Sequence, residues 1–374
     1  MIYIDISAAV HARAGLGRYS QNLAAALLAE QPGDYAVCYN RAGAGTLPPG
    51  LPQHISQKSR GLGYQPWRMS VLMAQKNHLS FKRLVPDAAL FHSTEHLLFP
   101  LRDTPTVLTV HDLIFNLYPD YHKRLNLWYL NQAMPLYCER ASAIIAVSEA
   151  TKNDIVHNYG IDPGKIQVVY EAAADHFVPP AQDKIERVRR EYDLPRRFLI
   201  HLSTIEPRKN LDRLVDALLA VRQVFPDLQL VLAGSKGWLY DDFFARITSQ
   251  GVAGIVRPLG WVPDQDLPAV LAAADLAVQP SLYEGFGLPI LEHMASGQVV
   301  AASNAASHPE VGGEAAAYFD PTDVAEMTAV TLRLLKNKDE YARRREQGLI
   351  QAAKFSWQRT ARETRAVYNR LLAI

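Results

Sequence analysis

The feature that most narrows the fold is an alternation that runs along the whole chain. Short β-rich runs at 2–6, 35–39, 88–92, 106–110, 143–147 and 166–170 are separated by longer amphipathic stretches such as 17–30, 122–140 and 149–158. A second series follows, with β-rich runs at 197–202, 228–233, 256–260, 275–279 and 298–302 and helical stretches at 210–225, 264–273 and 323–336. Strands alternating with helices make parallel sheets covered on both faces, because a parallel partner is reached only through a crossover. Two series in 374 residues predict an α/β protein of two doubly wound domains. The break falls within 172–196, which has little strand character, a Pro-Pro pair and a charged helix. The domains are taken as 1–177 and 178–355. Open parallel sheets bind ligands outside the carboxyl ends of their strands, so the loops after strands are where chemistry is expected.

Composition limits the function classes. The chain is 48% hydrophobic, with 39 Lys+Arg against 38 Asp+Glu and a net charge of +1. There is ample core material, which excludes a disordered chain, and no basic excess of the kind nucleic-acid binders carry. Two cysteines, Cys38 and Cys138, are too few for a disulfide framework or a multi-Cys zinc site. They fit a reducing compartment, and a cytoplasmic location is expected. No apolar stretch reaches the ~20 residues of a membrane span. The opening MIYIDISAAV lacks a basic leader segment and reads as a buried first strand.

The segment richest in chemistry is 275–297, DLAVQPSLYEGFGLPILEHMASG. It reads as a strand, a loop with glycines on either side of Phe286, and a helix. Pro289 fits the first turn, where no amide donor is needed, and Gly297 ends the helix. A glycine loop feeding a helix start presents amides and a positive dipole end, which suits an anion. Glu284 in the loop and Glu292 on the helix are separated by seven residues. Carboxylates beside a phosphate site suit sugar hydroxyls better than phosphate. The expected ligand is a phosphate-linked sugar. The plain alternative is a turn with a salt-bridged glutamate.

E284-G-F-G-L-P-I-L-E292 resembles the E-x7-E motif of the retaining glycosyltransferases of GT-B fold, family 4 (glycosyl transferases group 1), and the likeness extends over most of the chain. The resemblance implies two Rossmann-like domains facing a central cleft, with the 356–374 helix crossing back to the first. It implies that Glu292 binds the nucleotide ribose and Glu284 lies at the donor sugar. Gly285, Phe286, Gly287 and Leu288 then contact the donor. STIEPRKN at 203–210 resembles the family's pyrophosphate-binding segment, and Arg208 and Lys209 are assigned to the leaving phosphates. Fixed cations there stabilise a charge that grows as the glycosidic bond breaks. A solvated helix start is the other reading of that pair.

Gly15 and Gly17, in RAGLGRY after the first strand, look like the glycine loop that approaches the donor diphosphate; a plain turn and cap is the alternative. His111, in TVHDL, matches a histidine that lies against the donor sugar. Asp112 and His92 are acceptor-side candidates, with Ser93, Glu95 and His96 as further strand-end residues. Val262, in LGWVPDQDLPAVL, is expected near the nucleotide base. Asp264 and Asp266 mimic a metal-binding D-x-D but head a helix and read as capping residues. Asp241 and Asp242 likewise mark a helix start. No metal site and no cofactor are expected.

Residues 35–86 contain no Asp or Glu but carry Arg41, Lys58, Arg60, Arg68, Lys76, Lys82 and Arg83, interleaved with Trp67, Met69, Leu72, Met73 and Phe81. Such a surface suits anionic lipid, and 57–86 is a candidate for peripheral contact at the inner face of a membrane. The bland reading is a helix with its apolar face on the sheet. The resemblance is strongest to mannosyltransferases of surface-polysaccharide pathways. It implies hexose transfer, with GDP-mannose favoured over UDP-glucose and UDP-N-acetylglucosamine, to a glycan or lipid-linked hydroxyl. The alternatives are a non-catalytic sugar-nucleotide or carbohydrate binder on this fold and a dinucleotide oxidoreductase. The last is weakened because Ser20 stands where a glycine fingerprint needs glycine.

Overall fold

The computed structural model describes residues 1–11, 14–41, 47–48, 50–52 and 55–373. The chain forms two compact units, Met1–Glu171 with Ser356–Ile374, and Ala172–Phe355. The change of unit precedes the 177/178 break taken from sequence. Residues 172–180 carry no strand or helix, and Pro179 lies against Gly297 of the second unit.

The first unit is a seven-stranded parallel sheet of order β3-β2-β1-β4-β5-β6-β7. Its strands are β1 (Ile2–Asp5), β2 (Tyr35–Asn40), β3 (Gln57–Arg60), β4 (Leu90–Ser93), β5 (Thr106–Val110), β6 (Ala143–Ala146) and β7 (Ile166–Val168). Its helices are α1 (Ser7–Val10), α2 (Ala14–Glu30), α3 (Tyr64–Lys76), α4 (Ile114–Leu117), α5 (Arg124–Arg140) and α6 (Glu149–Tyr159). Trp67, Val71 and Leu72 of α3 and Tyr129, Met134 and Tyr137 of α5 share one core with Phe91 of β4. Phe91 stacks on Phe99 at 4.3 Å between ring centres, an offset-stacked pair that adds to its burial.

The second unit has a six-stranded parallel sheet of order β10-β9-β8-β11-β12-β13. Its strands are β8 (Phe198–Leu202), β9 (Gln229–Ala233), β10 (Val256–Gly260), β11 (Leu276–Gln279), β12 (Val300–Ser303) and β13 (Ala317–Phe319). Its helices are α7 (Gln182–Glu191), α8 (Leu211–Val221), α9 (Asp241–Ser249), α10 (Leu267–Ala272), α11 (Leu288–Ala295), α12 (His308–Gly312), α13 (Val324–Lys336) and α14 (Lys338–Ala352). A final helix, α15 (Trp357–Leu372), returns to the first unit and packs on α2 and β6.

In each sheet the strand order reverses beside the first strand, between β1 and β4 and between β8 and β11. Loops leaving two such strands diverge to opposite faces, which opens a crevice at the strand ends. Two strands carried no sequence signal. β3 is the edge strand QKSR, exposed at all four residues, and β13 is only three residues long. The sequence reading of Gly15 and Gly17 as a loop is corrected: both lie in the first turns of α2, while Arg13 of the same motif is outside the described residues. Gly17 is small for a packing reason, since a Cβ there would come within 3.0 Å of the Ala8 carbonyl oxygen. Asp266 is also corrected. It stands at the start of α10 without capping it, because its carboxylate accepts hydrogen bonds from Arg187 and from the Tyr192 hydroxyl at 2.8 Å.

Candidate active site

The switch point of the second unit collects charge. After β8 the chain makes one 3-10 turn, Pro207–Lys209, and Asn210 then takes φ +58° before α8 begins. Asparagine tolerates this left-handed conformation better than most residues. Its side-chain amide donates to the carbonyls of Pro280 at 3.0 Å and Pro321 at 2.7 Å. The Leu282 amide donates to the Arg208 carbonyl at 2.9 Å. The loop after β8 is thereby bound to the loop after β11, across 70 residues of sequence.

Glu284 is the focus of the two loops. Its carboxylate accepts from Arg208 Nη1 at 2.6 Å, Lys209 Nζ at 2.5 Å and Ser281 Oγ at 2.7 Å. Arg208 Nη1 also donates to the Tyr283 carbonyl, and its Nε sits 2.6 Å from a Glu206 oxygen. Four charged groups are compensated within a few ångströms, and the Lys209 side chain is only 7% exposed. Burial by itself raises a carboxyl pKa, but Arg208 and then Lys209 outweigh it and hold Glu284 well below the usual carboxylate range. Burial and the neighbouring guanidinium lower the Lys209 ammonium, against the pull of Glu284 and Glu206.

A second layer fixes the Glu284–Gly287 loop, and the sequence reading did not include it. Ser307 Oγ lies 2.9 Å from the Glu284 carbonyl oxygen and 2.6 Å from that of Phe286. Ser303 Oγ donates to the Ser281 carbonyl and lies 2.8 Å from His308 Nδ1. Gly287 has φ +106°, and a Cβ there would meet the His308 ring at 3.1 Å. Glycine is therefore favoured by conformation, and a Cβ would in addition press on the His308 ring. A peptide's carbonyl and amide point in opposite directions, so holding the carbonyls of 284 and 286 on Ser307 aims the amides of 285 and 287 the other way. Beneath the loop, His201 and His308 are pushed down to about 4 and His293 to about 3, each chiefly by burial, and are neutral.

Glu292 is buried in the second turn of α11, directly after this loop. Leu288 is the first residue of that helix. Val262 follows β10 at the sheet edge, two strands from β8, with its side chain buried beside the exposed Trp261. Asp241 and Asp242 open α9.

In the first unit, His111 follows β5. Its Nδ1 lies 3.0 Å from a Glu171 carboxylate oxygen and its Nε2 2.9 Å from the Thr94 carbonyl oxygen. A carboxylate and a carbonyl both accept, so the pair of contacts favours the form of the ring protonated at both nitrogens. Burial opposes this, but the bond and charge of Glu171 prevail and raise the His111 pKa. The Tyr19 ring meets His111 edge-on at 4.7 Å. His92 departs from its expected acceptor role. It is fully buried and held between Thr109 Oγ1 at 2.7 Å and the Tyr368 hydroxyl at 2.6 Å, and burial pushes it down to about 3. It ties α15 to the sheet. Asp112 accepts the Ile114 amide at 3.2 Å, so at least one of its oxygens serves the local turn. His96 receives the His111 amide and is neutral, pushed down to about 4 by burial.

Comparison with known proteins agrees with this architecture. The model of the glycosyl transferases group 1 matches residues 183–351, and that of Glycosyltransferase Family 4 matches 13–174. O-antigen chain mannosyltransferase B of Escherichia coli is 33% identical over 288 residues, covering 75% of this chain and 74% of that protein. A serotype-specific mannosyltransferase WbdA of Escherichia coli is 32% identical over 281 residues, 71% of this chain, which spans only 34% of that longer protein. Anabaena Alr3699/HepE, crystallised with UDP and glucose, superposes with a TM-score of 0.74 at 19% identity, covering 98% of this chain and 99% of that one.

Proposed function

The chain belongs to the group 1 glycosyl transferases and is a hexosyltransferase of GT-B fold; on that premise we propose that it moves mannose from GDP-mannose to a hydroxyl of a glycan or lipid-linked acceptor, with retention and without a metal. The observation that carries this reading is the convergence of Arg208 and Lys209 on Glu284 at the switch point of the second unit. A nucleoside diphosphate leaving group gathers negative charge as the bond to the sugar anomeric carbon breaks. Two cations already held in place stabilise that charge without reorganising. The acceptor oxygen attacks the same face, and its proton passes to the departing phosphate oxygen. Glu284, sharing those cations, is suited to accept a hydrogen bond from a sugar hydroxyl, and Glu292 from the ribose. The mannosyltransferase relatives support mannose as the sugar. A cytoplasmic location with peripheral contact to an anionic membrane through 57–86 completes the proposal, and it fits a lipid-linked acceptor.

The test is a thermal-shift series with GDP-mannose, UDP-glucose, UDP-N-acetylglucosamine and NAD, each with and without EDTA, followed by nucleoside diphosphate release in the presence of a mannoside acceptor. GDP-mannose should stabilise most, unchanged by EDTA, and turn over. Stabilisation by NAD alone, or binding of a nucleotide sugar with no turnover on any acceptor, would overturn it.

A further inference from the structure

Helices α3 and α5 lie side by side and expose an unusual set of residues. Arg68 Nη1 donates to Asn126 Oδ1 at 2.9 Å and stacks 3.8 Å over the Tyr129 ring, and Lys76 Nζ donates to Gln132 Oε1 at 3.2 Å on the exposed surface. Met73 is one turn before Lys76, and Trp128 one turn before Gln132, so both flank that surface contact. Met73 is 50% exposed, Trp128 49% and Leu125 66%; Met69 and Leu79 are exposed on the same stretch of chain. Large side chains spaced by helical turns and left in water mark a contact surface rather than scattered exceptions.

Charge selects what covers it. Lys76 in the last turn of α3, Arg83 in the short turn that follows, and Lys123 and Arg124 at the start of α5 are all exposed, and no acidic residue occurs between 35 and 86. Asp120 precedes α5 and Glu139 lies at its far end. Among the described residues no helix is long and apolar enough to cross a membrane, so any insertion is shallow. We propose that α3 and α5 together form a face that lies on an anionic phospholipid bilayer, with Met69, Met73, Leu125 and Trp128 inserted among the acyl chains and the flanking lysines and arginines at the headgroups. This deepens the membrane contact within the proposed function and rests on that part of it. It moves the contact from 57–86 alone to a two-helix face, with α5 supplying the bulkiest anchors.

Vesicle co-sedimentation of the full chain tests it, using phosphatidylcholine alone or with roughly one-third phosphatidylglycerol. The parent should bind the anionic vesicles at least ~10-fold more tightly, from the per-cation attraction of such surfaces. Leu125→Ser with Trp128→Ser should weaken binding about fivefold through lost apolar burial. Lys76→Glu with Arg83→Glu should abolish it. Lys82 is left intact because its Nζ donates to Thr104 Oγ1 at 2.8 Å and has a structural role. Melting temperatures within a degree or so of the parent show that the variants fold. Transfer to a soluble mannoside should be unchanged in all of them, which separates failure of this face from failure of the transferase reading. Equal binding of the parent to both vesicle types overturns the proposal. So does binding indifferent to the substitutions, or a parent dimer in sizing chromatography that the substitutions dissolve.

Discussion

The two units share a design and differ in how they treat polar groups at strand ends. In the second unit, Arg208, Lys209, Glu206 and Glu284 meet where β8 and β11 diverge, and the charges come from loops. In the first, polar groups are absorbed into the frame. His92 joins Thr109 to Tyr368, His111 is clasped by Glu171 and Thr94, and Asp5 accepts both the amide and the hydroxyl of Ser7. One sheet presents compensated charge at its crevice, and the other uses similar residue types to fasten its own parts. The same parallel-sheet architecture therefore carries different electrostatic tasks, set by the loops rather than by the strands.

The contrast can be broken most forcefully at Lys209. Lys209→Ala should lower kcat by roughly 10²–10³, the loss seen when one preorganised charge-stabilising donor is removed. Single-turnover release of nucleoside diphosphate measures it, and a loss below tenfold would deny the second unit its special role. Next is Ser307→Ala, which releases the loop carbonyls of Glu284 and Phe286. Donor KM should rise about tenfold with a smaller change in kcat, the value of a lost buried hydrogen bond. An unchanged KM would show that the loop holds itself.

pH separates His111 of the first unit from the other buried groups. Glu284 has a depressed folded pKa, so its contribution is present above the unfolded value of about 4.3 and is lost as pH falls below that. Neutral, buried His92, His201, His293 and His308 weaken the fold in the same direction as pH drops below about 6.5. His111 has the opposite sign. Its folded pKa is raised, so its contribution is full below about 6.5 and is lost as pH climbs through the higher folded value. Melting of the parent should thus decline by a few degrees on the alkaline side, and Glu171→Gln should remove that decline while leaving the acid limb. An alkaline limb that survives in Glu171→Gln would mean His111 is not its source. The smallest effect is expected at Tyr368→Phe, about 1 kcal/mol from the lost bond to His92, with nucleotide binding unaltered. A changed nucleotide affinity would blur the division between the units.

How far these features could be read in advance follows from their range in sequence. The strand–glycine loop–helix of 275–297 was legible because Pro289, Gly287 and Gly297 impose local rules on a short stretch. The clasp of Glu284 by Arg208 and Lys209 joins residues 75 or more positions apart, and periodicity holds no trace of it. β3 was hidden because QKSR at a sheet edge buries nothing, so its pairing to β2 leaves no apolar pattern. Gly17 misled because a glycine needed for helix packing looks, in isolation, like one needed for a turn. His92 misled for the same kind of reason. A strand-end histidine is ambiguous until Tyr368, on a helix far along the chain, is seen to meet it.

The return of α15 to the first unit has a consequence for biosynthesis. Trp357, Val367 and Tyr368 complete that unit's interior, yet the ribosome delivers them only after all of the second unit. The second unit can therefore fold as soon as its own residues emerge. The first must wait with the flank formed by α2 and β6 uncovered until α15 is delivered.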